Sequence, residues 1–304
     1  MKGHAINAKW NGGLFAALVA GLGVICAAPA QGAEMLTHVH GLAYSADGKT
    51  LMVPSHHGLS IHERGKWRKA PGPQHDYMGF ASTRMYLYSS GHPAPGSALA
   101  KPFGVIRSGD GGRTWDRLGL EGETDFHLLA AGWNTNAVYV WNPQPNSRMN
   151  KFGVYYTLDE GQTWHAAAAV GLDGELQALA AHPYAPGTVA IGTSEGAFLS
   201  RDFGSRFEVL VRDAPALALQ FDLDGERLWL GSFAGTAYLS RIDLRSGRIE
   251  PAPTPHWGRD PVSYIAQNPA SRAEYAIATL GRSVYLSKDG ARTWTQIADR
   301  GRVR

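Results

Sequence analysis

Cysteine is almost missing. The chain has one in 304 residues, Cys26, and it lies in a leading segment expected to be removed. The working protein then has no disulfide, no thiolate metal site and no thiol nucleophile. An excess of charge of one sign is missing too. The chain carries 29 Lys+Arg against 26 Asp+Glu, a net +3. Without Lys2 and Lys9 the balance is 27 to 26, or +1. With no basic run either, nothing marks a nucleic-acid partner. Long helical periodicity is absent after residue 33. Gly-x-Ser-x-Gly occurs once, as Gly192-Thr193-Ser194-Glu195-Gly196, at the end of a strand and not on a strand-to-helix elbow, and there is no His-Glu-x-x-His pair, so serine hydrolysis and zincin-type proteolysis have no supporting signature.

The first thirty residues differ from the rest. Lys2 and Lys9 precede an apolar run, residues 14–28, followed by Ala28-Pro29-Ala30 and Gln31-Gly32-Ala33. These are the charged, apolar and small-residue parts of a secretory signal. The run has 15 residues with Gly21 and Gly23 inside, short of the ~20 a spanning helix needs. There is no twin-Arg pair, which favours the general secretion route. Ile25 is bulky for a lipid anchor at Cys26. The expectation is a signal segment over 1–33, cleaved after Ala30 or Ala33, and a single domain over 34–304. The protein would then be periplasmic or secreted. It would meet a membrane only through an uncleaved leader.

What is present in quantity is glycine, 37 residues, in a repeating context. Ser108-Gly109-Asp110-Gly111-Gly112-Arg113-Thr114-Trp115 returns as Thr157-Leu158-Asp159-Glu160-Gly161-Gln162-Thr163-Trp164. It returns again as Ser287-Lys288-Asp289-Gly290-Ala291-Arg292-Thr293-Trp294, and more weakly from Ser200 through Asp202 and Gly204 to Phe207. Each box reads as a hairpin turn. The Asp accepts backbone N–H bonds, a Gly takes the positive φ, and the Trp buries a large ring. These are folding residues and need do no chemistry.

The large residue that opens the last strand of each unit recurs as Trp67, Trp115, Trp164, Phe207, Ile249 and Trp294. The steps are 48, 49, 43, 42 and 45. A period in the forties with four strands per unit implies propeller blades, six rather than seven. Inner strands open in one register at His40, Met78, His127, Gln177, Leu217 and Ser263. Blades 2 and 3 carry insertions at 93–102 and 143–151. Packing of blade 6 on blade 1, with help from Met35-Leu36, is expected to close the ring.

These in-phase boxes resemble the Asp-box (BNR-repeat) propellers over about residues 38–298. That family includes sialidase-like proteins, sortilin-type receptors and photosystem II assembly-factor propellers. The resemblance implies an all-β six-bladed propeller. It leaves function open among glycosidase, peptide receptor and assembly factor.

Propeller geometry puts the inner-strand starts and the second-strand exits on one face, the top, and the box turns on the other. Eight histidines lie between His38 and His127, and most map to the top. His40, Met78 and His127 share a register. His38, Asp76, Asp125 and Glu175 stand one step above it. His56, His57 and His92 occupy exit loops. Imidazole and thioether without thiolate suit copper, and extra histidines suit Cu(II) or zinc. The expected ligands are His40, Met78 and His127, assisted by His57 and His92, with His38 and His56 nearby. Any one histidine alone could merely bond its neighbours. His182, after Ala181 and before Pro183, reads as structural, His165 as solvated, and His256 as reaching the mouth from across the channel. No organic cofactor is expected.

Two other readings stay open. A glycosidase could use Asp76, Asp125 and Glu175, since carboxyls ~5 Å apart serve retention and ~6.5–9.5 Å inversion. The same acids could instead orient the histidines. Sialidase-like propellers use an arginine triad, yet this chain opens Glu34-Met35-Leu36-Thr37-His38 without the Arg-Ile-Pro segment. Arg148, Arg259 and Arg282 are scattered. Alternatively, Trp141, Pro143, Pro145, Met149 and Phe152, with the 93–102 insertion, could dock a peptide or protein partner.

Overall fold

A computed structural model describes residues 35–255 and 258–304. The expected signal segment and His256 lie outside the described residues. Every regular element described is a β-strand, and the strands form six antiparallel sheets. Blade 2 shows the plan. Its inner strand Asp76–Ser82 pairs with Leu87–His92, then Val105–Ser108, then Asp116–Gly119. The inner strands of the six blades neighbour one another in chain order, and that of blade 6 returns to blade 1. This is a six-bladed propeller.

The register fixes the two faces. Asp76 stands opposite His92, whereas Ser82 and Ser108 both stand opposite Leu87. Inner-strand starts and second-strand exits therefore share one end of the sheet, and the box turn occupies the other.

Hydrophobic burial is organised between blades. Six apolar clusters each draw on two adjacent blades, one cluster per interface. In five of the six blades the recurring large residue packs into the interface with the blade before it; Ile249 of blade 5 is exposed. Trp115 joins blade 1, Trp164 blade 2, Phe207 blade 3 and Trp294 blade 5. Trp67 reaches back to blade 6, where its Nε1–H donates to the Ile297 carbonyl at 2.9 Å. Burying such a ring contributes roughly 3 kcal/mol each, so these contacts, repeated around the ring, set the angle between blades.

The boxes behave as their residues demand. Asp110 Oδ1 accepts from the Arg113 and Thr114 N–H groups at 3.0 Å each, and Oδ2 from the Thr114 hydroxyl at 2.7 Å. Ser108 Oγ accepts from Gly112 N–H at 2.8 Å. Gly112, Gly161 and Gly204 hold φ of 87°, 84° and 79°. Ala291 takes the same place at φ 67°, a left-handed conformation that costs an L-residue with a side chain about 1 kcal/mol.

Closure uses both ends of the described chain. The Met35 and Leu36 N–H groups donate to the Gly301 carbonyl at 3.0 and 3.1 Å, and Leu36 is fully buried between blades 6 and 1. Past the expected fourth strand, blade 6 gains a fifth, Arg302–Val303, paired with Thr295–Asp299. It adds outer backbone pairing where the two ends meet.

Candidate metal centre at the channel mouth

Side chains at the inner-strand starts are aimed by a recurring irregularity. The pairing of inner and second strands slips between Tyr77 and Phe80, Leu176 and Ala178, Ala216 and Ala218, and Val262 and Tyr264. Each slip falls on the register of Met78, Gln177, Leu217 and Ser263. A bulge re-aims the residue it carries. His40, His127, Gln177, Leu217 and Ser263 line the central channel at this level. Two residues on, Leu42, Phe80, Leu129, Leu179, Leu219 and Ile265 form an apolar girdle below them. A mouth of mixed polarity thus sits on a hydrophobic floor.

Blades pass close enough here to need glycine. A Cβ on Gly79 would lie 2.3 Å from the Phe126 carbonyl oxygen and 2.8 Å from Leu129 Cβ. Ser90 fastens the same junction, accepting from Phe126 N–H at 2.8 Å and donating to the Gly104 carbonyl at 2.7 Å. The loop carrying Asp125 and His127 is thereby held against the end of blade 2.

On blade 1, His38, His40 and His56 each offer a ring nitrogen within 4.8 Å of the others'. His40 Nε2 is 3.4 Å from His56 Nδ1. Asp76 Oδ1, from the next blade, is 2.9 Å from His56 Nδ1 and 3.9 Å from His40 Nε2. Three points with these separations lie on a circle whose radius is the product of the sides over four times the triangle's area. That radius is about 2.0 Å, the length of a zinc–nitrogen or zinc–oxygen bond. Asp76 Oδ1 is buried and has no aligned hydrogen-bond donor despite its short distance to His56. The two ring nitrogens are in hydrogen-bond geometry with each other, so the Asp76 oxygen is the one corner of the triangle without an aligned partner.

Electrostatics agrees with the geometry. Burial, then the neighbouring His56, push the His40 pKa down to about 4; Asp76 opposes this, and His38 and His127 add to it. His40 is therefore neutral through the physiological range, the form a metal requires.

One blade on, Asp125 Oδ2 lies 3.1 Å from both His92 Nε2 and His127 Nε2. His127 is 63% exposed, while His92 Nδ1 is buried without a hydrogen-bond partner. Met78 is nearly buried beside the bulge and belongs to none of the six apolar clusters.

Other expected site residues fall elsewhere. His57 is exposed, outside the His38–His40–His56 group, and its carbonyl accepts from Lys69 Nζ. Glu175 is exposed, and its N–H donates to Ser194 Oγ. His182 is structural as expected, with Nε2 at 3.1 Å from the Gly225 carbonyl and Nδ1 accepting from Tyr184 and Ala185 N–H. His165 is exposed and stacks on Tyr156.

The 143–151 insertion corrects the docking-loop picture in part. Met149 is fully buried in the blade 2–3 interface. Arg148 is held by the Leu118 and Gly161 carbonyls, so it does not serve the mouth. The insertion folds back into the scaffold because its apolar and cationic groups find partners between blades. Phe152 does remain 71% exposed, edge-on to Trp141. Sequence reasoning placed Asp76 among the carboxylates but did not foresee it as the third corner of the His40–His56 triangle. The one signal for it was its register, level with His38.

Comparison with solved structures finds propellers. The chain is similar to a GH74 enzyme of Niastella koreensis at 16% identity and a TM-score of 0.59, covering 88% of this chain and 46% of that one. It is similar to the GH74 xyloglucanase of Xanthomonas campestris at 15% identity and a TM-score of 0.58, with the same coverage of 88% and 46%. It is also similar to YCF48 bound to a D1 peptide, at 19% identity and a TM-score of 0.50, covering 90% and 84%. The chain spans about half the length of the GH74 proteins it matches. No family model matches the sequence, and no curated protein matches it. At these identities the likeness shows the fold, a β-propeller, and the fold alone.

Proposed function

We propose that this propeller binds a copper-type transition metal ion at its top mouth, for metal handling or assembly outside the cytoplasm. The ligand set is His38, His40, His56 and Asp76. The observation that carries the reading is the triangle of His40 Nε2, His56 Nδ1 and Asp76 Oδ1, whose common point lies about 2.0 Å from each. Imidazole nitrogens with one carboxylate and no thiolate suit Cu(II) or zinc, and a thioether from Met78 would extend the set toward Cu(I). The secretory reading of residues 1–33 agrees with such a role. The Asp-box resemblance supports a binding scaffold without selecting a ligand.

The glycosidase reading has less support. Asp76 and Asp125 each already have imidazole partners and do not stand as a free acid pair. Glu175 stands apart from them.

The test is equilibrium dialysis of the purified chain against Cu(II) or Zn(II), followed by metal analysis. Bound metal that disappears in His40→Ala/His56→Ala supports the reading. Absence of bound metal, or retention in that variant, overturns it. Turnover of aryl glycosides lost in Asp125→Asn would replace it with the hydrolase.

A further inference from the structure

The mouth carries the same constellation twice. In blade 1 an exit-loop histidine, His56, meets a carboxylate, Asp76, from two residues before the inner-strand register of blade 2. In blade 2 an exit-loop histidine, His92, meets Asp125 from two residues before the inner-strand register of blade 3. The register residue beside the first pair is His40. Beside the second it is Met78, and His127 enters from the register position of blade 3. The pattern stops there. In blade 3 the exit-loop position is Asn142, whose amide donates to the Lys151 carbonyl, and Glu175 is exposed.

From this repetition we propose a second metal site, built from His92, Asp125 and His127, so that the mouth holds two divalent ions on adjacent blades. The proposal rests on the metal reading of the first group. Two features support it beyond the repetition. Asp125 Oδ2 stands 3.1 Å from a ring nitrogen on either side, which already gathers two imidazoles around one carboxylate. His92 Nδ1 is a buried ring nitrogen with no hydrogen-bond partner, so His92 is engaged only through Nε2, at Asp125, whereas both ring nitrogens of His182 are bonded. His127, largely exposed, can turn to close the set.

The second site differs chemically from the first. It has two imidazoles where the first has three, and a solvent-facing ligand in His127. It therefore binds more weakly and loads second. Zinc and Cu(II) both accept imidazole with carboxylate.

Titration of the purified chain with zinc sulfate, and separately with copper(II) sulfate, reads the stoichiometry calorimetrically and by metal analysis. Two ions per chain are expected, the weaker lost in His92→Gln/His127→Gln and the tighter lost in His40→Gln/His56→Gln. The single variant His127→Ala, at an exposed position, should weaken the second event at least tenfold with unchanged melting of the metal-free chain. One ion per chain in the parent, or a stoichiometry unchanged by His92→Gln/His127→Gln, overturns the second site and leaves the first standing. No ion at all overturns both. Thermal melting of every metal-free variant separates loss of ligands from loss of fold.

Discussion

The two halves of the channel mouth share one scaffold and differ in their side chains. Blades 1 to 3 present His40, Met78 and His127 at the inner-strand register; blades 4 to 6 present Gln177, Leu217 and Ser263. The bulge that aims the residue is found in blade 2 and again in blades 4, 5 and 6. The girdle beneath is apolar throughout. A fold that accepts glutamine, leucine and serine at this register has no structural need of histidine there. The clustered imidazoles on one side are thus an addition to the propeller, which keeps the same geometry without them on the other.

Damage to the scaffold that both halves share should have the largest effect. Trp164→Ala empties a buried site between blades 2 and 3. It is expected to cost about 3–5 kcal/mol, read as a lower denaturant midpoint. A loss below 1 kcal/mol would mean that interface packing does not govern the ring.

Exchange of residues across the mouth should act on metal binding and spare the fold. His40→Gln gives blade 1 the residue blade 4 carries, and with His56→Asn it should weaken Cu(II) or zinc binding at least 100-fold, about 2.7 kcal/mol. The metal-free melting temperature should move by only a few degrees. A large fall in that temperature would make the histidines structural after all.

The opposite face supplies a smaller effect. Asp110→Ala strips acceptors from Arg113 and Thr114 and should cost about 1–2 kcal/mol, with metal binding unaltered. Burial acts to raise the Asp110 pKa, but the Thr114 N–H and hydroxyl, with Ser108 and Arg113, outweigh it and bring it down to about 2. The Asp289 carboxyl is lowered as well, by the Thr293 N–H and hydroxyl and by Ser287. A carboxyl with a depressed folded pKa stabilises the fold above its unfolded value. That contribution is lost as the pH falls from ~4 toward ~2. Acid melts of the parent should show this decline, and Asp110→Ala should blunt it.

The smallest change belongs to the plain half. Gln177→Ala should leave metal affinity within twofold and stability within about 0.5 kcal/mol. A metal defect there would extend the site across the channel.

Much of the fold was readable because its signals are local. An Asp that caps a turn, a residue at positive φ four positions after the Ser or Thr, and a Trp three further on must keep their spacing wherever the turn forms. Three good boxes therefore phased the blades, and the phase put His40, Met78 and His127 at one level. The insertion was less readable. Met149 and Arg148 look like exposed loop residues, yet their partners are Leu118, Gly161 and an apolar interface remote in sequence. The fifth strand, Arg302–Val303, is too short to carry any periodicity.

Short sequence patterns specify the class of the molecule: a β-propeller with most of its histidines between His38 and His127 on one face and its box turns on the other. Backbone turns and blade period need only near neighbours, so they are written in short patterns. Tertiary structure alone decided which histidines converge. His56 and His57 are adjacent in sequence, yet one meets His40 and Asp76 while the other faces solvent. That choice depends on the direction of each side chain at the turn and on how closely blade 2 approaches blade 1. Both are set by packing between blades, which no local pattern records.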